Sequence, residues 1–418
     1  KERYLCDPFG ASSFYSGSGY FILYWVAISM SKTIVIIGAG LAGLSAALQA
    51  AENGCNVKLV SSLPSERAQS VMAEGGINAA LNTKDENDSP EEHFTDTIKA
   101  ACGLADPNAV WGMTQAAPEL VHWLLKLGVK FNMSGHDDVD LRNFGGQKKK
   151  RTAFAQSDTG KQIMTAMIDA VRRKEASGMV ERFSHHSFLT LRLCGNICCG
   201  CVIRDEYSQE TVELPGDAVI VATGGMHGLF GNTTGSLSNT GEVTAELFRL
   251  GVPLANGEMI QYHPTTVKCG GKRMLISEAA RGEGGRLFAM KDGKQWYFME
   301  EKYPELGNLM PRDITAREIW KVSHESEVFL DMTEISEEII SNKLSGLADD
   351  CMTYLHKDIR KEPVSVLPGI HYFMGGILVD EQHRTPIQNL CAAGECCAQY
   401  HGANRLGGNS LLGALYGG

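Results

Sequence analysis

Between Thr33 and Asn53 the chain reads as strand, glycine turn and helix. A β-branched run, Thr33 to Ile37, enters Gly38-Ala39-Gly40-Leu41-Ala42-Gly43, and an Ala- and Leu-rich stretch follows. In that setting the glycines let backbone approach a pyrophosphate at a helix N-terminus, so the segment predicts a dinucleotide site. A second strand is expected at Val57 to Val60. The generic pattern then wants an acidic residue for a ribose hydroxyl. This chain has Ser61 and Ser62 instead, which weakens NAD and leaves FAD open. Two later strands suit a flavin: Ala218 to Ala222 runs into Thr223-Gly224-Gly225, and Leu390 to Ala393 ends in Gly394-Glu395.

At about 150 residues per domain, 418 residues predict two or three domains. The formal charge of −10 and the lack of a long basic tract argue against a nucleic-acid partner. Glycine, 46 of 418 residues, exceeds the usual ~7%. The 12 cysteines form no regular framework, which fits a reducing compartment. Cys194, Cys198, Cys199 and Cys201 suit neither zinc nor common iron–sulfur spacing and read as buried small hydrophobes around a Gly195-Asn196 turn. Lys148-Lys149-Lys150-Arg151 reads as a solvated loop.

Helices are expected at Glu91 to Cys102, Asn108 to Leu127, Thr159 to Glu175 and Ser410 to Tyr416. Residues 1–30 read as an extension outside the fold, with Met30 as the natural start; their apolar run, Phe21 to Ser29, is too short to span a bilayer. From Asn256 the chain carries more charge and proline and fewer strand-like repeats, as an inserted domain would, and the apolar, glycine-rich pattern resumes at Ile370.

Five short motifs concentrate the polar chemistry: Gln261-Tyr262-His263-Pro264-Thr265, the stretch Ser277 to Gly285, Pro311-Arg312-Asp313, the stretch His371 to Gly376, and the stretch His401 to Ser410. Together they supply imidazoles and guanidiniums beside glycine turns, which suits a small dianion held by charge-assisted hydrogen bonds. A dicarboxylate is the simplest such ligand.

With these motifs in order, and with the Ala73-Glu74-Gly75-Gly76 turn, residues 31 to 418 resemble the flavoprotein subunit of the succinate dehydrogenase and fumarate reductase family. The resemblance implies an α/β fold: a discontinuous, Rossmann-like FAD-binding domain (31–255 and 370–418) interrupted by an α+β capping domain (256–369). The active site would lie between them. The helical C-terminal domain of relatives is expected to be absent.

Carried over by position, His263, Ser277, His371 and Arg405 match the residues that grip the two carboxylates. Arg312 matches the proton donor, with Glu278 and Arg281 as its relay to solvent. Gly38, Gly40, Gly43, Ser61, Gly75, Gly76, Glu242, Glu395, Ser410 and Leu411 match cofactor contacts. Ser277 replaces the usual Thr and Glu242 the more usual Asp. Many members bind FAD covalently through a histidine where this chain has Gln69, so FAD is expected to be non-covalent and no metal is expected. Non-covalent FAD favours fumarate reduction over succinate oxidation. L-aspartate oxidase resembles the family closely and is the alternative activity, against which Arg142-Asn143-Phe144-Gly145-Gly146 weighs; a non-catalytic electron-transfer subunit is the further one. Expected partners are fumarate and succinate, with an iron–sulfur subunit and membrane anchor or a soluble electron carrier. The expected location is cytoplasmic, peripheral to the inner face of the membrane through partners.

Overall fold

The computed structural model describes residues 31–135 and 138–418; the expected extension at residues 1–30, and with it the reading of Met30 as a start, lies outside the described residues. Five strands form a parallel sheet: β1 (Thr33–Ile37), β2 (Asn56–Ser61), β3 (Val180–Ser184), β4 (Ala218–Val221) and β5 (Leu390–Ala392). Their spatial order is β5-β4-β1-β2-β3. Strand order therefore reverses direction between β1 and β4. In an open parallel sheet, that reversal leaves a crevice at the carboxyl ends of the strands.

Between β1 and β2 runs α1 (Leu41–Glu52), and β3 is preceded by α2 (Thr159–Ala176). Leu41, Leu44, Leu48, Ile163 and Met167 bury themselves with Ile36 and Leu59 of the sheet in one apolar core. The last helix, α3 (Asn409–Gly417), adds Leu411, Leu412 and Leu415 to that core. Hydrophobic spacing alone fixes most of this: helices expected from the sequence occur at Pro90–Ala101, Pro107–Lys126 and α2, within two residues of their predicted ends.

From Ile276 to Val366 the buried apolar residues build a separate core, joined by Phe144. This stretch is richer in strands than its composition suggested. Arg286–Lys291, Lys294–Trp296, Val328–Asp331 and Val364–Ser365 form one antiparallel sheet, and Ile260–Cys269, Lys272–Leu275 and Leu367–Phe373 form another. Short strands and bulges hide the alternation: the register between Ile260–Cys269 and Leu367–Phe373 shifts between His263 and Thr266.

The cysteine cluster lies on a hairpin that turns at Gly195, whose φ of +63° suits glycine. Cys198 and Cys201 are buried as expected, but Cys194 is exposed and Cys199 only half-buried. Strand alternation turns these two outward.

Arg151 is not solvated. Lys148 and Lys150 are exposed, yet the Arg151 side chain has no accessible surface, with Nη2 at 2.8 Å from Asp88 and Nη1 at 3.0 Å from Asp96. The next residue, Thr152, donates its hydroxyl to Asn78 Oδ1 at 2.6 Å. A basic run in sequence is thus split by an extended backbone that turns one residue inward. Arg151→Ala leaves two buried carboxylates unpaired and is expected to lower the unfolding free energy by about 3–5 kcal/mol, as read from urea midpoints; an unchanged midpoint would contradict this.

Candidate active site

One cavity of about 580 Å³ opens at the carboxyl ends of β1, β4 and β5, lined there by Ile37, Ala222 and Ala393. The glycine turn forms part of its wall. Gly38 has a φ of +111°, and a Cβ on it would sit 2.3 Å from Ala222 O. Gly43 packs α1 onto the turn, with a Cβ meeting Gly38 O at 1.8 Å; it does not line the cavity. At Gly40 a Cβ would find no atom closer than Ser70 Oγ at 3.7 Å, so room remains beside this backbone at the start of α1.

The other expected cofactor contacts, Ser61, Gly75, Gly76, Glu242, Glu395, Ser410 and Leu411, line the same cavity. Ser61 Oγ and Glu74 Oε2 are buried there with no hydrogen-bond partner. Buried polar atoms rarely stay unpaired. Open backbone at Gly40, the unpaired Ser61 hydroxyl at the end of β2 and the unpaired Glu74 carboxyl in the turn before Gly75 fit a dinucleotide. Burial raises the Glu74 carboxyl to about 8, with Asp350 adding to the effect. Glu395 is already engaged: its Oε1 meets His227 Nε2 at 3.1 Å and accepts from Phe373 N at 3.0 Å. Glu242, at the start of the helix Glu242–Arg249, is exposed at the rim, and Gln69 also lines the wall.

His263, Ser277, Glu278, Arg312, His371 and Arg405 line the cavity as well. The bulged strand Ile260–Cys269 carries His263, and the paired strand Leu367–Phe373 carries His371; their rings meet edge to face with centroids 5.0 Å apart. Arg312 starts the helix Arg312–Val322, and Ser277 caps the helix Glu278–Gly282 by accepting from Ala279 N at 3.4 Å. Glu278 Oε2 holds Arg312 through Nε at 2.8 Å and Nη2 at 2.7 Å. Glu278 Oε1 accepts from Gly145 N at 3.0 Å and faces Arg281 Nη2 at 3.3 Å.

Gln261 links the Arg312 guanidinium to the Arg405 backbone. Its Oε1 accepts from Arg312 Nη1 at 3.1 Å, while Nε2 donates to Arg405 O at 2.7 Å. Arg405 lies over the Tyr372 ring, 4.2 Å from its centroid, with Nε unpaired. Burial, with the Arg312 charge, pushes Arg405 down to about 9. Burial works against ionising Glu278, but Arg312 and Arg281 outweigh it and hold the carboxylate below its usual range. Arg312 and Arg405 on the wall, with Arg281 buried behind it, outnumber this one carboxylate, leaving this part of the wall cationic and suited to a dianion.

Arg281 does not line the cavity. Its side chain is fully buried and Nη1 donates to the Asn308 carbonyl. Sequence reasoning overlooked Gln261 and Tyr372 as individual contributors, although both fell inside the motifs. It missed Thr234, whose hydroxyl meets His371 Nδ1 at 2.8 Å, because nothing in the surrounding Gly231 to Gly235 marks it.

Residues 33–411 match the FAD binding domain family. The chain is 44% identical over 396 residues to the succinate dehydrogenase flavoprotein subunit of Bacillus subtilis, covering 93% of this chain and 68% of that protein. This chain belongs to the succinate dehydrogenase and fumarate reductase flavoprotein family. An E. coli quinol fumarate reductase superposes with a TM-score of 0.85 at 30% identity, covering 93% of this chain and 68% of that one. The L-aspartate oxidase of Streptomyces coelicolor is 34% identical, covering 93% of this chain and 67% of that protein. The flavoprotein is therefore an FAD-dependent oxidoreductase acting on CH–CH groups, with the expected Rossmann-like α/β fold and inserted α+β part.

Burial holds the imidazoles of His93, His263, His371 and His401 below their usual range, His93 at about 3, with arginine charges assisting. The unfolded chain takes up protons on these rings below about pH 6.5 and the folded chain does not. Stability is therefore expected to fall as pH drops below 6.5, by up to about 1.4 kcal/mol per pH unit for each ring. Glu74, protonated in the folded state up to about 8, offsets one ring between its usual value of 4.5 and that point. Urea midpoints between pH 7.5 and 5 check this; midpoints that rise on acidification would contradict it.

Proposed function

We propose that the flavoprotein interconverts fumarate and succinate. A single observation carries the reading: the glycine turn of β1 and the His263, His371, Arg312, Arg405 cluster line one continuous cavity. FAD, when bound, supplies the hydride chemistry. Arg405, His371, His263 and Ser277 grip the two carboxylates through charge-assisted and neutral hydrogen bonds. Arg405 and His371 stabilise negative charge that develops on the nearer carboxylate as hydride arrives.

Arg312 delivers the proton to the other alkene carbon, a role that rests on the family resemblance. Its contact with Glu278 at 2.7 Å gives that proton a route back, and Arg281 neutralises the far oxygen of Glu278 at 3.3 Å. Arg281 is itself held in place by the Asn308 carbonyl, to which Nη1 donates. Residues 256–369 act as a capping domain over an FAD-binding domain formed by 31–255 and 370–418. Ser61, Glu242, Glu395, Ser410, Leu411 and the turn glycines Gly38, Gly40, Gly75 and Gly76 contact FAD, while Gly43 acts by packing α1 against the turn.

Gln69 lacks a ring nitrogen that could bond the flavin, so FAD is held without a covalent link and fumarate reduction is the favoured direction. Electrons come through an iron–sulfur subunit with a membrane anchor or through a soluble carrier. Among the described residues no helix is long and apolar enough to cross a membrane, which is compatible with a cytoplasmic subunit held at the membrane by partners. The 34% identity to an L-aspartate oxidase supports that activity as the second reading.

Anaerobic stopped-flow separates the two. Photoreduced flavin is expected to be reoxidised rapidly by fumarate, and the oxidised enzyme to be unaffected by aspartate; reduction by aspartate would move the assignment to the oxidase. Arg312→Ala is expected to cut fumarate turnover by about 10²–10⁴-fold with FAD content unchanged, and a near-native rate would remove Arg312 from the mechanism. Trichloroacetic acid should release the yellow colour into the supernatant; a yellow pellet would overturn non-covalent attachment.

A further inference from the structure

Two consecutive threonines outside the five motifs reach both parts of the cavity wall. Thr233 and Thr234 lie on an irregular segment pinned to the strand that carries His371. Thr234 N donates to Ile370 O at 2.9 Å, and Ile370 N donates to Asn232 O at 2.8 Å. Arg273 N donates to Thr233 O at 2.9 Å from the other side. Both threonines are buried. Their side chains diverge: Thr233 Oγ1 lies 2.8 Å from Nδ1 of His227, whose Nε2 meets Glu395, while Thr234 Oγ1 lies 2.8 Å from Nδ1 of His371.

A hydroxyl has one proton to give. Thr234 has a second acceptor in range, the Ile370 carbonyl, but at 3.5 Å. A bond of that length is weak, so the proton goes to the nitrogen at 2.8 Å. Burial, with the neighbouring His263, Arg312 and Arg405, keeps the His371 ring neutral. In a neutral ring whose Nδ1 accepts, the ring proton sits on Nε2.

We infer that Thr234 is a positioning residue: its hydroxyl donates to Nδ1 of His371 and so presents Nε2–H, a donor, to a carboxylate in the cavity. The opposite tautomer would face that carboxylate with a lone pair and repel it. The inference rests on the dicarboxylate reading above. It makes the Thr233-Thr234 pair a shared strut, with one hydroxyl serving the substrate histidine and the other the histidine behind Glu395.

Two measurements on the FAD-loaded enzyme test it. In protein labelled with ¹⁵N-histidine, long-range ¹H–¹⁵N correlations report which nitrogen of His371 is protonated. Nε2–H is expected in the unsubstituted protein, and Nδ1–H would overturn the inference without any variant being made. Titration with malonate, a dicarboxylate that cannot be oxidised to an alkene, reports affinity through the flavin spectrum. Thr234→Val keeps the shape and removes the hydroxyl, and is expected to raise the malonate Kd roughly 10- to 100-fold. Thr234→Ser is expected to restore it, with FAD content and thermal midpoint unchanged throughout. Malonate binding by Thr234→Val as tight as in the unsubstituted protein would overturn the inference. Absence of malonate binding by the unsubstituted protein would instead overturn the dicarboxylate reading, and the tautomer signal would still decide the part played by Thr234.

Discussion

A buried carboxylate holds the cationic wall of the site together. Glu278 receives Arg312 on one oxygen and Gly145 N and Arg281 on the other, all out of contact with water. Its removal would leave two guanidiniums and one backbone N–H unpaired in a low-dielectric interior. Gly145 follows Phe144, itself part of the second apolar core, so this carboxylate ties the segment before α2 to that core. Packing and chemistry are coupled at that side chain: Oε2 aligns Arg312 while Oε1 anchors the Gly145 backbone.

Neutral histidines complete the arrangement. His263 and His371 sit among arginines and lose their charge by burial, so the fixed positive charge comes from guanidiniums, which keep theirs. Their hydrogen bonds are directional, so the rings add orientation to a wall whose charge comes from the guanidiniums. Gln261 and Tyr372, on the same strands as the histidines, hold Arg312 by a hydrogen bond and Arg405 by a ring face.

How much of this is legible in the sequence depends on the range of the interactions. The β1 turn, α1 and α2 follow from local apolar periodicity and glycine spacing, and they occur where expected. The strand pairing between Ile260–Cys269 and Leu367–Phe373 joins residues about a hundred positions apart across two bulges, and no local pattern announces it. The site residues were legible through the motif resemblance, since chemistry alone gives any one His or Arg a bland reading. Arg151 misled for the same reason in reverse: three preceding lysines in the sequence suggest solvent, while its partners Asp88 and Asp96 lie some sixty positions away. Thr234 had no local signal, because its importance lies in a single hydroxyl aimed across the fold.

The last segment of the sheet has a consequence for how the protein is made. β5 pairs with β4, α3 packs against α1, and the loop between β5 and α3 brings Arg405 to the cavity while the first turn of α3 brings Ser410. A chain emerging from the ribosome can form β1, α1 and the glycine turn early, but the crevice they border stays unwalled until residues near 410 have left the exit tunnel. Closing a contact that spans nearly the whole described chain carries a large entropic cost, which is met only when the hydrophobic face of α3 docks. Cofactor capture is thus a late event in biogenesis, and any nascent chain stalled before α3 would expose an open, apolar crevice.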